Sequence, residues 1–157
     1  IGNKGLSQFS NDFLQVRSDM SIYASLGLPP SVVLVTRVGG GYTWGKPEFF
    51  QALSLGGTAN LRGFRNNRFT GTGMFYNNME LRVKLFDFTS YILPGSIGLI
   101  AFNDLGRVWQ KGESSGQWHD GFGGGIYFSP VNLLVITAVI GHSTEDTLPY
   151  VTFGFKF

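Results

Sequence analysis

Phe75-Tyr76-Asn77-Asn78-Met79-Glu80-Leu81-Arg82-Val83-Lys84-Leu85 decides how this chain folds. Phe75, Met79, Leu81, Val83 and Leu85 take one side of a period-two pattern, and Asn78, Glu80, Arg82 and Lys84 take the other. That alternation marks a strand with unlike faces. Charges at alternate positions cannot face a packed apolar core, because each unpaired buried charge costs several kcal/mol. They face water or one another, so the apolar side needs a separate partner.

The same reading extends in both directions. From about Gln8 to Leu26, the residues Leu14, Val16, Met20, Ile22, Ala24 and Leu26 oppose Gln15, Arg17, Asp19, Ser21 and Tyr23. After a turn at Gly27 to Pro30, Val32, Leu34, Val38, Tyr42 and Trp44 oppose Val33, Val35, Arg37, Gly39 and Gly41. Downstream, strands are expected over Ser96 to Trp109, Trp118 to Phe128, Leu133 to His142 and Pro149 to Phe157. No helix is expected. About seven strands of roughly 10 to 15 residues result, against about 5 to 6 residues in ordinary soluble sheets.

Composition narrows the class. Only 14% of the residues are charged, while 43% are hydrophobic and 15% aromatic. Soluble domains carry about 25% charge, so much of this surface is covered by something other than water. A net charge of +2 without a basic tract argues against a nucleic-acid partner. The absence of cysteine removes thiolate catalysis, disulfides and most structural zinc sites. No apolar run reaches the length of a membrane-spanning helix; the longest, Val131 to Ile140, is broken by Asn132 and Thr137. The chain starts at Ile1 without an initiator Met, and a mature or partial chain is the expectation.

The connections are asymmetric. Those at 27–30 and 129–132 are short, and those at 45–71, 110–117 and 143–148 are long and polar. Long strands, apolar-out and polar-in alternation, terminal aromatics and this asymmetry describe an antiparallel transmembrane β-barrel. The alternative is a soluble barrel or sandwich with its apolar faces inward, but such proteins seldom have strands this long and this poor in charge. Within 45–71 the chain does not alternate, which in a compact domain points to a loop with a function.

That loop contains Leu61-Arg62-Gly63-Phe64, preceded by Gly56 and Gly57; the next strand carries Glu80-Leu81-Arg82, and the one after it Phe102-Asn103-Asp104-Leu105-Gly106. A glycine-rich strand, Gly121 to Phe128, and a terminal strand ending in Phe follow. In this order the motifs resemble the C-terminal part of the barrel in the bacterial surface antigen superfamily, the outer-membrane family of BamA, TamA and the two-partner-secretion transporters. One departure is Lys84-Leu85-Phe86, which lacks the proline that many members have there.

The resemblance implies a bacterial outer-membrane location and a role in inserting or translocating proteins, with unfolded or translocating proteins as clients. It also implies that the loop folds into the barrel and that Arg62 reaches acids of the inner wall. The residues agree with this, since arginine is always charged and offers a planar fork suited to carboxylates. The expected pair is Arg62 with Asp104, with Glu80 as second acceptor and Gly63 allowing close passage at the wall beside Phe64.

Other features carry two readings each. Arg62, Arg65 and Arg68 recur every three residues and would contact lipopolysaccharide phosphates or simply face solvent. The glycines at 39–41 and 121–125 relieve crowding, mark bends or weaken the sheet. Phe153, Phe155 and Phe157 read as lipid-facing residues and, by resemblance, as the C-terminal signal and seam of such barrels. Neither His119-Asp120 nor His142-Ser143 is preorganised for catalysis, because neighbours in a strand face opposite ways. No catalytic residue, metal site or cofactor is expected. A structural barrel or diffusion pore without assembly activity, and an outer-membrane hydrolase, stand as the alternative functions.

Bacterial single-chain barrels have even strand numbers, so seven is uncomfortable. Either residues 1–7 add an eighth strand and a small barrel closes, or residues 1–157 are the C-terminal half of a 16-stranded barrel. In the second case an upstream barrel half, periplasmic domains or a second copy of the chain would complete the assembly.

Overall fold

The computed structural model of the protein describes residues 13–27, 31–45, 51–89, 94–110, 116–131 and 134–155. The described residues form nine strands: β1 (Phe13–Ser25), β2 (Val32–Gly45), β3 (Leu53–Leu55), β4 (Phe69–Gly71), β5 (Gly73–Phe88), β6 (Gly95–Trp109), β7 (His119–Pro130), β8 (Leu134–Ser143) and β9 (Thr147–Phe155). Seven of them make one antiparallel sheet in the order β1-β2-β5-β6-β7-β8-β9. The expectation of an all-β, antiparallel barrel wall with no helix holds for the described residues. Among the described residues the sheet is open, with β1 and β9 as its edges. The eighth strand expected in residues 1–7, and the first residues of the strand expected from Gln8, lie outside the described residues.

One expectation needs correction. Although the stretch 45–71 lacks long-range alternation, it carries β3 and β4, a short hairpin pairing Leu53 with Gly71 and Leu55 with Phe69. Three residues per strand are too few for a periodic signal, so the hairpin was invisible to pattern reading.

Cα partners across the sheet share a face, which fixes the sides without ambiguity. Asp104 pairs with Asn78 and Gly121; Glu80 pairs with Phe102. This inner face is where the loop lies. On the outer face, Met79, Leu81, Leu99, Leu105, Phe122, Ile126, Ile140 and Val151 are exposed apolar residues. Their contiguity over five strands is far larger than the scattered apolar exposure of a water-soluble surface, and it matches the lipid face of a membrane barrel.

The inner face has its own core. Leu53, Leu55, Leu61 and Phe64 of the loop are fully buried against Met74 and Tyr76 of β5, with Phe69 and Val108 packed alongside. A second cluster joins Ile100 and Phe102 of β6 to Val139 of β8. Three inward aromatic rings lie over glycines directly opposite them: Tyr76 over Gly39, Phe102 over Gly123 and Tyr127 over Gly98. Each ring occupies the space a Cβ would take, covering backbone that glycine leaves bare. The inner-facing glycines are therefore sockets.

Candidate functional site

β5 and β6 position two acids because inward residues recur every second position. Glu80 follows Asn78 on the inner face of β5, and Asp104 follows Phe102 on that of β6. Asp104 is fully buried, and the side chains of Arg62 and Glu80 are 14% and 13% exposed. Arg62 Nε donates to Asp104 Oδ2 at 2.7 Å and Arg62 Nη2 to Asp104 Oδ1 at 2.8 Å, a two-pronged contact. Arg62 Nη1 donates to Glu80 Oε2 at 2.7 Å. The backbone N–H of Arg62 adds a fourth bond, to Asp104 Oδ2 at 3.0 Å.

The remaining surroundings complete the arrangement. The Arg62 guanidinium lies 3.7 Å from the centroid of the Phe102 ring, well within cation–π range. The other oxygen of Glu80 accepts from Arg82 Nε at 2.7 Å. Two positive and two negative charges thus sit in one network, which offsets their desolvation better than a lone pair would. Burial alone would lower the pKa of Arg62, but the hydrogen bond and charge of Asp104, followed by those of Glu80, raise it above its ordinary value. The loop cation never titrates.

The loop meets the far side of the sheet as well. Gly63 N–H donates to the hydroxyl of Tyr150 on β9 at 2.9 Å, and that hydroxyl donates to the carbonyl of Phe64 at 3.1 Å. Ser143 Oγ donates to the Gly63 carbonyl at 2.7 Å. Gly63 has φ of +93°, and a Cβ there would stand 2.8 Å from the His142 carbonyl oxygen. Both the conformation and the space require glycine. Between these anchors lies β7, where Gly121 meets the Arg62 carbonyl so closely that any Cβ would collide with it.

Outside the barrel interior, Arg68 pairs with Glu145 at 2.7 Å and Arg65 approaches Asp146 at 3.5 Å. Both acids sit at the β8–β9 tip, so these arginines join two loops rather than standing apart in solvent. Partnership with Glu145 raises the pKa of exposed Arg68. His119 stacks on Phe69 with centroids 3.6 Å apart, and His142 Nδ1 lies 2.7 Å from Thr147 Oγ1. Among the described residues no cluster of acids and histidines is placed to hold a metal ion.

The structure brings together Arg62, Gly63, Phe64, Glu80 and Asp104. Of the terminal phenylalanines, Phe153 is 71% exposed on the outer face. β9 ends at Phe155, and Phe157 lies outside the described residues. Tyr150 carries no signal in the sequence, and nothing in the sequence around Ser143 or Phe102 points to their contacts with the loop. Tyr150 faces inward from a strand whose outward aromatics drew attention, and nothing in local spacing links it to a loop 86 residues away.

Long antiparallel strands, an apolar outer face and an inner face holding an infolded loop by a buried ion network define the wall of a transmembrane β-barrel. A family model described as the Omp85 superfamily domain matches residues 4–141, and the chain belongs to that superfamily. Its members are outer-membrane proteins of bacteria concerned with protein insertion and translocation, without enzymatic chemistry. No match was found among curated proteins and none among solved structures.

Proposed function

We propose that this chain is the C-terminal barrel wall of a bacterial outer-membrane protein that assists insertion or translocation of other proteins, and that Arg62 locks its infolded loop to the wall. The observation that carries the reading is the saturation of one loop arginine: all three guanidinium nitrogens bind two inner-wall carboxylates. A loop that merely lay in the lumen would not need it. Unfolded or translocating proteins are the clients, and lipid with lipopolysaccharide surrounds the apolar face. Because an unpaired strand edge is not tolerated in hydrocarbon, β1 and β9 are completed by an upstream barrel half or a second copy of the chain.

The test uses the intact protein in its native membrane. Arg62→Ala leaves Asp104 buried without its cation, while Arg62→Lys keeps the charge but cannot serve both acids. Folding is followed by heat-modifiable migration, and function by client secretion or insertion. Both variants should fold and lose client handling, Lys less completely. Normal client handling with an ejected loop would refute the lock. Steady conductance without any assembly phenotype would favour a diffusion pore.

A further inference from the structure

Arg17, Arg37, Arg82 and Lys84 all stand on the inner face of the sheet. Arg107 does not. It pairs across β5 with Phe75 and shares its parity on β6 with the exposed outer residues Leu99, Leu105 and Trp109. Among the described strand residues it is the single Lys or Arg that points to lipid. No carboxylate among the described residues lies within ion-pair distance of it, and its buried Nε has no hydrogen-bond partner. Asp120, on the same face, is held by Asn103 Nδ2 at 2.8 Å.

The surroundings of Arg107 are aromatic. Its guanidinium lies 5.1 Å from the Trp109 ring and 5.7 Å from that of Trp118, and Phe75 meets Trp118 edge to face at 6.1 Å. Tyr42 and Trp44 continue this band at the same end of the sheet. An aromatic band marks the level of the lipid headgroups. It lies beside the long connection 110–117, on the side where outer-membrane barrels carry their extracellular loops. A lipid-facing arginine is costly at the bilayer midplane and nearly neutral at this depth. The rings screen its flanks and leave its fork without an acceptor.

We infer that Arg107, framed by Trp109 and Trp118, binds the phosphate of an outer-leaflet lipid, of the phosphomonoester type that lipid A carries. A guanidinium fork matches phosphate oxygens in two-pronged fashion, and the rings pack on the sugar and acyl roots below. The anion comes from the membrane, because among the described residues no carboxylate reaches the Arg107 fork. The inference rests on the outer face meeting lipid and is independent of any client handling.

The intact protein is placed in nanodiscs of phosphatidylcholine doped with diphosphoryl lipid A or with the same glycolipid lacking phosphate, and retained lipid is measured by native mass spectrometry. Arg107→Gln is compared with wild type, and Arg107→Leu, which suits a lipid-facing position, guards against a folding defect in the first variant. Wild type should retain phosphorylated lipid A roughly tenfold better than either variant, with no difference for the phosphate-free glycolipid. Equal retention by wild type and both variants would overturn the inference. So would equal retention of the phosphate-free lipid by wild type, or displacement of lipid A by inorganic phosphate, which would mark a free-anion site instead.

Discussion

Removing one oxygen, by Tyr150→Phe, should loosen the infolded loop without unseating it. The hydroxyl accepts from Gly63 N–H and donates to the Phe64 carbonyl. Each bond contributes about 1 kcal/mol net, and a partner left unsatisfied in a half-buried site costs about 1–3 kcal/mol. Counting two bonds and partial rehydration, the loop end loses about 2–3 kcal/mol. Since 1.4 kcal/mol is a factor of ten, local opening at Gly63 should rise by roughly 30- to 140-fold. The bonds of Arg62 to Asp104 and of Ser143 to the Gly63 carbonyl remain, so the loop stays seated on average. Amide hydrogen exchange on the intact protein reads this directly. Exchange at Gly63 and Phe64 should accelerate by that factor, while amides in the β5–β6 ladder keep their protection. An acceleration below about threefold, or equal loss of protection in every strand, would refute the assignment of Tyr150 as a specific anchor of the loop.

Asp104→Asn keeps the shape of the wall but removes the charge under Arg62, and should cost about 3–5 kcal/mol as the breaking of a buried pair, seen as protease cleavage within residues 53–69. Glu80→Gln should cost less, because Arg62 keeps its two-pronged partner; the same proteolysis ranks the two. Gly121→Ala places a methyl group against the Arg62 carbonyl and should release the loop, whereas Gly154→Ala, with nothing within 4 Å of its Cβ, should be silent in thermal unfolding. Arg68→Ala removes an exposed pair with Glu145 and should leave loop protection unchanged at moderate salt, as measured by exchange.

What the sequence made legible was whatever repeats every second residue. Glu80 and Asp104 announce themselves as inward acids because their neighbours alternate, and Arg62 stands out in a stretch that does not alternate. The contacts that complete the site do not repeat. Tyr150 and Ser143 reach Gly63 and Phe64 across 80 or more residues, a proximity created by the order β6-β7-β8-β9 and absent from any local window. The glycines of β7 looked like relief or weakness because a missing side chain is silent about what fills its place. Phe102 was legible as a motif residue, but its ring as a seat for a cation depended on the depth at which the loop enters. For Arg107, alternation assigns a face and says nothing of a missing partner.

The two sets of anchors give the loop a mechanical role that neither gives alone. Arg62 is fastened to Glu80 on β5 and Asp104 on β6, while the next two residues are fastened to β8 and β9 through Ser143 and Tyr150. β7 lies between and contributes Gly121, so the backbone of the loop crosses it in direct contact. The strand ladder already ties β6 to β9 through three successive pairings, each of which bends easily about the strand axis. A brace across the inner face resists that bending. Any displacement of the edge strand β9 relative to β6 must therefore either break the Tyr150 and Ser143 bonds or drag Gly63 and strain the network at Arg62. Because the Arg62 network is charged and buried and the Tyr150 bonds are neutral and half-buried, the weaker end is the one at β9. Movement at the edge should release the loop from Tyr150 first and leave Arg62 in place, which makes the tyrosine the point at which the state of the edge strand is felt by the loop.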